Sequence, residues 1–491
     1  NMEPTVIDRI AIIGHLGRYS LHTTLHERAT LIHGPNGSMK TTLLHYLANV
    51  ANLDLDALFE MRFERIKLTL SNAQEVKVVA SRGKPDLGIY EKIRVEINGE
   101  RLIEVSRGFD VVEVFPLVLE FYKRTGLKPS TYLPAFRTLL EASGGRGLGE
   151  NNLSRGDLVY DRPEEKRLQQ IESLKDAYIE RPKPIHGWSL NSRMPVGRVE
   201  KTLFARTYFG AFIPVIDYPT LLDVERGLNR AVNRAKMTVA KHERAFLTRA
   251  IDEIATAALG ESSYGVDQTP PTFNDFDEVL GRLRKVIDTS GALADVTRTV
   301  TRMRDRLALE NTPPESLRIM RSFLRELRNL LMNIAGTMAP LEAFERSVNQ
   351  FLEGKRISLT DVSYEDGILR HGRGRVILDD DRRIKLSQLS SGERHVLSLL
   401  SCAENHPGDG SLLIIDEPEI SLHVDWQRRI LPEIIARLAA AQVVVATHSP
   451  GVASSRQEDL APYIVEPWNA RPASGSQRDD YGDDDVLNEL Q

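Results

Sequence analysis

Apolar residues recur along this chain in three rhythms, and each rhythm predicts a different kind of element. Near the start they come in short blocks, and residues 6–13, 19–25 and 29–33 read as strands separated by Gly and polar turns. Residues 41–50 then follow a helical pattern. Alternation returns over residues 63–70, 75–81, 92–99 and 101–105, and Asn98-Gly99 between two of these runs is a hairpin signal. Residues 117–124 predict a helix, and residues 212–219 read as a turn into the next section.

Residues 220–354 change rhythm. Glycine is scarce, and Met320, Phe323, Leu327, Leu331 and Ile334 recur at helical steps, as do Leu341, Phe344, Val348 and Phe351. Residues 260–271 and Thr312-Pro313-Pro314 break this section into several helices, too short and interrupted for a long coiled coil. The third rhythm is continuous: residues 412–415 and 443–446 are wholly apolar, as strands buried on both faces of a parallel sheet must be. Residues 356–359 and 375–378 read as short strands between the helices and the first of these runs.

Composition excludes several classes. Of 491 residues, 41% are hydrophobic and 27% charged, which is ordinary for a globular chain with room for two or three domains. No apolar run reaches membrane-spanning length and no signal peptide is legible, so the expectation is a cytoplasmic protein without a membrane partner. The one cysteine, Cys402, permits no internal disulfide, and within an apolar helix it reads as a buried structural thiol. The histidines, His22 and His26 among them, show no Cys/His metal spacing. The net charge of −5 owes much to the end of the chain, where residues 479–491 carry six acidic groups. That stretch reads as a flexible tail.

Basic stripes mark the helical section: Arg226, Arg230 and Arg234; Arg298, Arg302 and Arg306; and Arg318, Arg321, Arg325 and Arg328. Two readings stand. One is a surface for nucleic-acid phosphates or an acidic protein; the other is a solvated face paired with Glu225, Asp305, Glu326 and their neighbours. Asp379-Asp380-Asp381 suggests a metal site, but between two short strands it reads better as an exposed turn.

The candidate chemistry lies in four short segments. Gly34-Pro35-Asn36-Gly37-Ser38-Met39-Lys40-Thr41-Thr42 is a near match to a phosphate-binding loop, placed between a predicted strand and a predicted helix as such a loop requires. Its glycines let the backbone wrap phosphates, Lys40 would neutralise β- and γ-oxygens, and Thr41 would ligate Mg²⁺. Ser390-Ser391-Gly392-Glu393 opens a helix whose first N–H groups can hold a phosphate. Asp416-Glu417 ends an apolar strand: the first carboxylate can hold Mg²⁺ and the second can orient or deprotonate water. Thr447-His448 ends the other apolar strand at the same rim. Taken singly these segments are ambiguous, since Ser-Gly-Glu often only caps a helix and a lone histidine says little. All four in this order, each on its expected element, point to ATP and Mg²⁺.

That order resembles the ABC-type ATPase heads of the SMC, RecF and OLD class, and segments such as LSSGERHVLSLL and YLPAFR (residues 132–137) extend the likeness over both ATPase halves. The resemblance implies an α/β fold: a phosphate-loop parallel sheet plus an antiparallel β-subdomain, with a helical insertion. Residues 1–219 would form the first half of the head, 220–354 the insertion, 355–470 the second half and 471–491 the acidic tail. The implied nucleotide set is Asn36, Gly37, Ser38, Lys40, Thr41 and Thr42, with Ser390, Ser391 and Gly392 supplied by a second head, so a homodimer or higher homo-oligomer is implied. Thr41 and Asp416 would hold the metal, Glu417 would polarise water, and His448 would contact the γ-phosphate. Arg137 would face nucleotide or the partner head, or serve a structural ion pair. One position departs from the pattern: Met39 stands where the family has Gly, so its side chain must fit beside phosphates or turn into the neighbouring packing. Retained ATP binding with slow turnover is the expectation, and a degenerate loop that binds no nucleotide is the alternative.

Compact members of this class occur in prokaryotic anti-phage systems such as PARIS, Septu and Gabija. Only about forty residues follow His448, too few for another stable domain, so any effector nuclease, of Toprim or HNH type, is expected on a separate chain. A phage protein or nucleic acid would be the trigger. The alternative is a RecF-like DNA-repair ATPase that clamps DNA itself.

Overall fold

The computed structural model describes residues 4–82, 90–136, 198–258, 270–286, 292–308, 312–359, 362–365, 368–371, 375–406, 408, 410–438 and 440–468. Arg137, the Gly-rich stretch at 144–155 and the acidic tail lie outside these residues.

The opening strands are β1 (Ile7–His15), β2 (Tyr19–Thr24) and β3 (Ala29–His33), and the phosphate-loop candidate joins β3 to helix α1 (Lys40–Ala51) and short α2 (Leu55–Glu60). The alternating stretches become β4 (Arg65–Leu70), β5 (Glu75–Arg82), β6 (Tyr90–Ile97) and β7 (Glu100–Ser106). In β4, residues 66, 68 and 70 are buried and their neighbours are half-exposed, so a single face meets the core. Asn98 and Gly99 close the β6–β7 hairpin with φ of 53° and 79°, the left-handed pair that a two-residue turn requires. Helix α3 (Val111–Thr125) begins earlier than its apolar pattern suggests and includes Pro116; β8 (Thr131–Leu133) follows.

Helix α4 (Arg198–Phe209) leads to the insertion helices α5 (Leu221–Ala258), α6 (Phe273–Val286), α7 (Ala292–Leu307) and α8 (Pro314–Asn349). At 38 and 36 residues, α5 and α8 are the long pair, about 55 Å each at 1.5 Å per residue. They pack along each other: Phe246 meets Phe323 edge-on, and Arg249 bonds Glu326 at 3.4 Å. Pro314 starts α8 at a position where its missing N–H costs nothing.

The chain then returns through β9 (Lys355–Ser358), β10 (Val362–Glu365), β11 (Ile368–His371), β12 (Arg375–Leu378) and β13 (Arg383–Ile384). Residues 379–381 form an exposed turn between β12 and β13, and no cluster of three metal-ligating side chains exists among the described residues. Helix α9 (Ser391–Asn405), β14 (Leu412–Asp416), α10 (Val424–Arg437), β15 (Gln442–Thr447), α11 (Pro450–Ser455) and β16 (Tyr463–Pro467) complete the fold. Cys402, expected to be buried, is half-buried against the core, because α9 presents it at the margin of its apolar face.

The class is α/β, with two principal sheets. A seven-stranded antiparallel sheet runs β16-β2-β1-β4-β5-β6-β7, and a four-stranded parallel sheet runs β3-β15-β14-β8. Every residue of β14 and β15 is buried, which explains their unbroken apolar sequence. Ile216, in the turn before α5, adds a parallel bridge to Tyr132 of β8. Gln442 ties the two sheets together: its amide takes the N–H of Ile7 and donates to the carbonyls of Ile7 and His26.

Within the insertion, three of the four arginines of the third basic stripe are held in ion pairs, and Arg318 is exposed. Arg321 and Arg328 both bond Asp275 of α6, Arg328 also bonds Glu278, and Arg325 lies 3.7 Å from Glu326. Arg298, Arg302 and Arg306 of α7 are exposed, with Arg298 paired to Asp295 one turn earlier. Arg226, Arg230 and Arg234 of α5 are exposed as well.

Candidate nucleotide site

Parallel strands end at one edge of their sheet, and the carboxyl end of such a sheet is where open α/β folds bind ligands. Here β3 delivers the phosphate-loop candidate, β14 delivers Asp416 and Glu417, and β15 delivers Thr447 and His448. Residues separated by about 400 positions in sequence thereby meet.

Lys40 is buried, 3% exposed, at the first position of α1. Its ammonium, with three N–H donors, lies within hydrogen-bond distance of four acceptors: the carbonyls of Gly34 (2.8 Å) and Pro35 (2.9 Å), Ser38 Oγ (3.1 Å) and His448 Nδ1 (3.1 Å). Burial pushes its pKa down, opposed by the negative charges of Glu417, Asp416 and Glu419. Thr41 Oγ1 donates to Asp416 at 2.9 Å. Because Lys40 is the donor to Nδ1, the other ring nitrogen of a neutral His448 carries the proton, and Nε2 lies 3.1 Å from Glu417 Oε1. A continuous polar chain therefore runs from the phosphate loop through the histidine to the candidate base.

Asn36 and Gly37 are exposed at the tip of the loop, Ser38 folds back onto the Pro35 carbonyl, and Thr42 is half-buried on α1. Gly37 has φ +81°, with open space where a Cβ would stand. Met39 adopts φ 62°, ψ 20°, left-handed backbone that suits the glycine it replaces, and its side chain packs against the hydrophobic core. Of the two placements open to it, the structure has the second.

Thr41 and Asp416 supply one hydroxyl and one carboxylate, both hard oxygen donors and already in contact. Mg²⁺ is typically held by one or two such groups plus substrate phosphates, so this donor set fits it.

Ser390, Ser391 and Gly392 begin α9. Ser390 caps the helix, its Oγ accepting from the Glu393 N–H while Glu393 accepts the Ser390 N–H at 2.8 Å. Burial alone would raise the Glu393 carboxyl; the Ser390 N–H and the Lys355 ammonium outweigh it and hold the pKa below its ordinary value. Among the described residues no hydrogen bond or ion pair joins Ser390, Ser391 or Gly392 to the phosphate loop of the same chain. A Cβ on Gly392 would lie 2.6 Å from the Ser421 carbonyl, so only glycine permits this approach of α9 to the turn after β14. Farther along α9, buried His395 contacts the Pro418 carbonyl through Nε2 and the Tyr218 hydroxyl through Nδ1, each at 3.2 Å.

The sequence reading missed Glu419. Its Oε1 accepts from Thr447 Oγ1 (2.8 Å), from the His448 N–H (2.7 Å) and from the Ser449 N–H (3.0 Å). The available signal was a third acidic residue in Asp416-Glu417-Pro418-Glu419, whose spacing does not reveal which loop it reaches.

Comparison with known proteins bears on the second half of the chain. Residues 234–454 match the family described as "AAA domain, putative AbiEii toxin, Type IV TA system". This range takes in Ser390, Asp416 and His448 and leaves out the phosphate loop. An 89-residue stretch is 33% identical to "Retron Ec83 probable ATPase" of Escherichia coli, covering 16% of this chain and 16% of that protein. Among solved structures, an Smc head domain with an extended coiled coil, bound to the C-terminal domain of ScpA and derived from Pyrococcus furiosus, aligns with TM-score 0.33 and 11% identity, over 94% of this chain and 96% of that one. An Smc head domain with a coiled coil and joint from Pyrococcus yayanosii aligns with TM-score 0.34 and 11% identity, over 94% and 97%.

The family match and the site geometry support an ATPase of the AAA/ABC type. No helix among the described residues is long and apolar enough to cross a membrane.

Proposed function

We propose that this chain is an ABC-type ATP hydrolase acting as a nucleotide-dependent switch in a two-component anti-phage defence complex, where it controls a separately encoded effector nuclease. The observation that carries the ATPase reading is the linked set Thr41–Asp416 and Lys40–His448–Glu417, which joins a phosphate loop, a metal carboxylate and a candidate base at one sheet edge. The likeness to a retron ATPase favours a role in defence.

In this reading, ATP phosphates take over the Lys40 hydrogen bonds now made to the Gly34 and Pro35 carbonyls. Thr41 and Asp416 would hold Mg²⁺, which offsets charge on the phosphate oxygens. Glu417 accepts the proton of the attacking water, and His448 donates toward the γ-phosphate. The exposed Ser390 and Ser391 complete the site on a second copy of the chain. An effector responds only if it binds one nucleotide state better than the other.

The test compares wild type with Lys40→Ala and Glu417→Gln. Lys40→Ala should lose ATP binding. Glu417→Gln should keep binding, lower kcat by about a hundredfold or more because an amide is no base, and accumulate as an ATP-bound dimer in size-exclusion chromatography. Wild-type hydrolysis by Glu417→Gln would refute the assignment. The exposed Arg298, Arg302 and Arg306 favour one alternative, a RecF-like ATPase that clamps DNA; tight, salt-sensitive DNA binding by the purified chain alone would establish it.

A further inference from the structure

The loop that carries His448 is held from an unexpected direction. Two residues beyond the candidate base, the Glu419 side chain turns to the end of β15 and uses one oxygen for three donors: the Thr447 hydroxyl and the N–H groups of His448 and Ser449. Its second oxygen is buried and has no hydrogen-bond partner among the described residues. A carboxylate is costly to place this way, since one oxygen loses its water without replacement. A neutral acceptor would meet the same backbone donors more cheaply. From the other side, Ser449 Oγ donates to Gln427 Oε1 at 2.5 Å and accepts the first N–H groups of α11.

The geometry matters because the His448 ring has to satisfy two partners at once. Nδ1 meets the Lys40 ammonium and Nε2 meets Glu417, each at 3.1 Å. A shift of the His448 backbone by a fraction of an ångström would break one contact or the other. Glu417 and Glu419 lie on one turn, and Glu417 itself has the left-handed φ of 49°. We infer that Glu419 is a positioning residue. It fastens the histidine loop to the turn that carries the base, so that Glu417 and His448 move as one unit relative to Lys40. The inference rests on the ATPase reading proposed above. It acts through hydrogen-bond acceptance and not through charge, which makes the glutamine variant decisive.

Three variants separate the roles. Glu419→Ala removes the acceptor, Glu419→Asp keeps the charge but withdraws it by one methylene, and Glu419→Gln keeps an acceptor oxygen in place without charge. The expected result is a fall in kcat of about tenfold to a hundredfold for Ala and Asp, the scale of a misplaced catalytic group, with ATP affinity within about threefold of wild type. Glu419→Gln should restore kcat to within about threefold. A second readout needs no turnover: in ¹⁵N-histidine spectra, with the His448 signal assigned by its loss in His448→Gln, wild type and Glu419→Gln should show one tautomer protonated on Nε2. Glu419→Asp should show a tautomer mixture.

Equal activity in all three variants would overturn the inference. So would equal loss in Gln and Ala, which would assign the effect to charge, or an unchanged tautomer in Glu419→Asp. If wild type neither binds nor hydrolyses ATP, the ATPase reading fails, and the tautomer measurement still decides whether Glu419 holds the histidine.

Discussion

Met39 shows how a residue that breaks a motif can be accommodated without breaking the loop. Its left-handed backbone costs a non-glycine residue about 1–2 kcal/mol, whereas its half-buried side chain recovers about 1–2 kcal/mol by leaving water. The two nearly cancel. Met39→Gly should therefore change unfolding free energy by less than about 1 kcal/mol, while Met39→Ala, which keeps the strain and loses the packing, should be the less stable of the two. Urea denaturation of both variants decides this, and Met39→Ala more stable than Met39→Gly would show that the left-handed backbone carries no strain here. With the thioether directed into the core, Met39→Gly should leave the hydrolysis rate within about twofold. At this scale Lys40, Asp416, Glu417 and His448 were legible because each ends or begins an element with a strong apolar pattern. Glu419 was not, because its partners lie on a loop 28–30 residues later in the chain.

The elements divide the arginine stripes into two kinds. Arg321 and Arg328 of the α8 stripe are structural: Asp275 bonds both while also forming a reciprocal cap with Thr272 at the start of α6. Asp275→Ala should destabilise by about 2 kcal/mol, combining a lost cap with two lost half-buried ion pairs. Reversing Arg298, Arg302 and Arg306 to Glu should cost less than about 1 kcal/mol, leave basal ATP hydrolysis unchanged, and weaken any contact with nucleic acid or an acidic protein. Thermal melts and binding isotherms separate these outcomes, and unchanged sensing by the triple variant would make the α7 stripe a solvated face.

The long helices could be read from their periodicity and the buried strands from their unbroken apolar runs. Helix α4 could not, because its buried face carries charge. Lys201 donates to the Tyr218 carbonyl, and Arg206 makes a 2.6 Å ion pair with Asp54 in which both side chains are almost fully buried. Polar residues used internally erase the apolar stripe on which such readings depend. The β10–β11 hairpin escaped for a different reason, since its four-residue strands are too short to establish a period.

For the whole molecule, stability should fall as the solution becomes mildly acid. His45 is buried on α1 against the Tyr132 hydroxyl, and burial pushes its pKa down to about 4 from 6.5. Above the higher value the imidazole is neutral in both states and contributes no pH dependence. Below it the unfolded chain takes up a proton that the folded chain refuses, so stability is lost between pH 6.5 and about 4, by about 3 kcal/mol at 1.4 kcal/mol per unit. His45→Gln should flatten that part of the curve in denaturation measured from pH 7.5 to 5, and an unaltered slope would place the proton uptake elsewhere.

The parallel sheet sets β3, near one end of the chain, directly beside β15, near the other, with His33 opposite Thr447. On the ribosome these strands emerge far apart in time. At about 5–20 residues per second, roughly 20–80 s separate the appearance of the loop that would take phosphate from that of the strand beside it. Through that interval β3 lacks its neighbour, and Lys40 and Thr41 lack His448 and Asp416. A half-made chain cannot be armed: whatever this site does, it begins only once synthesis has passed the second half of the sheet.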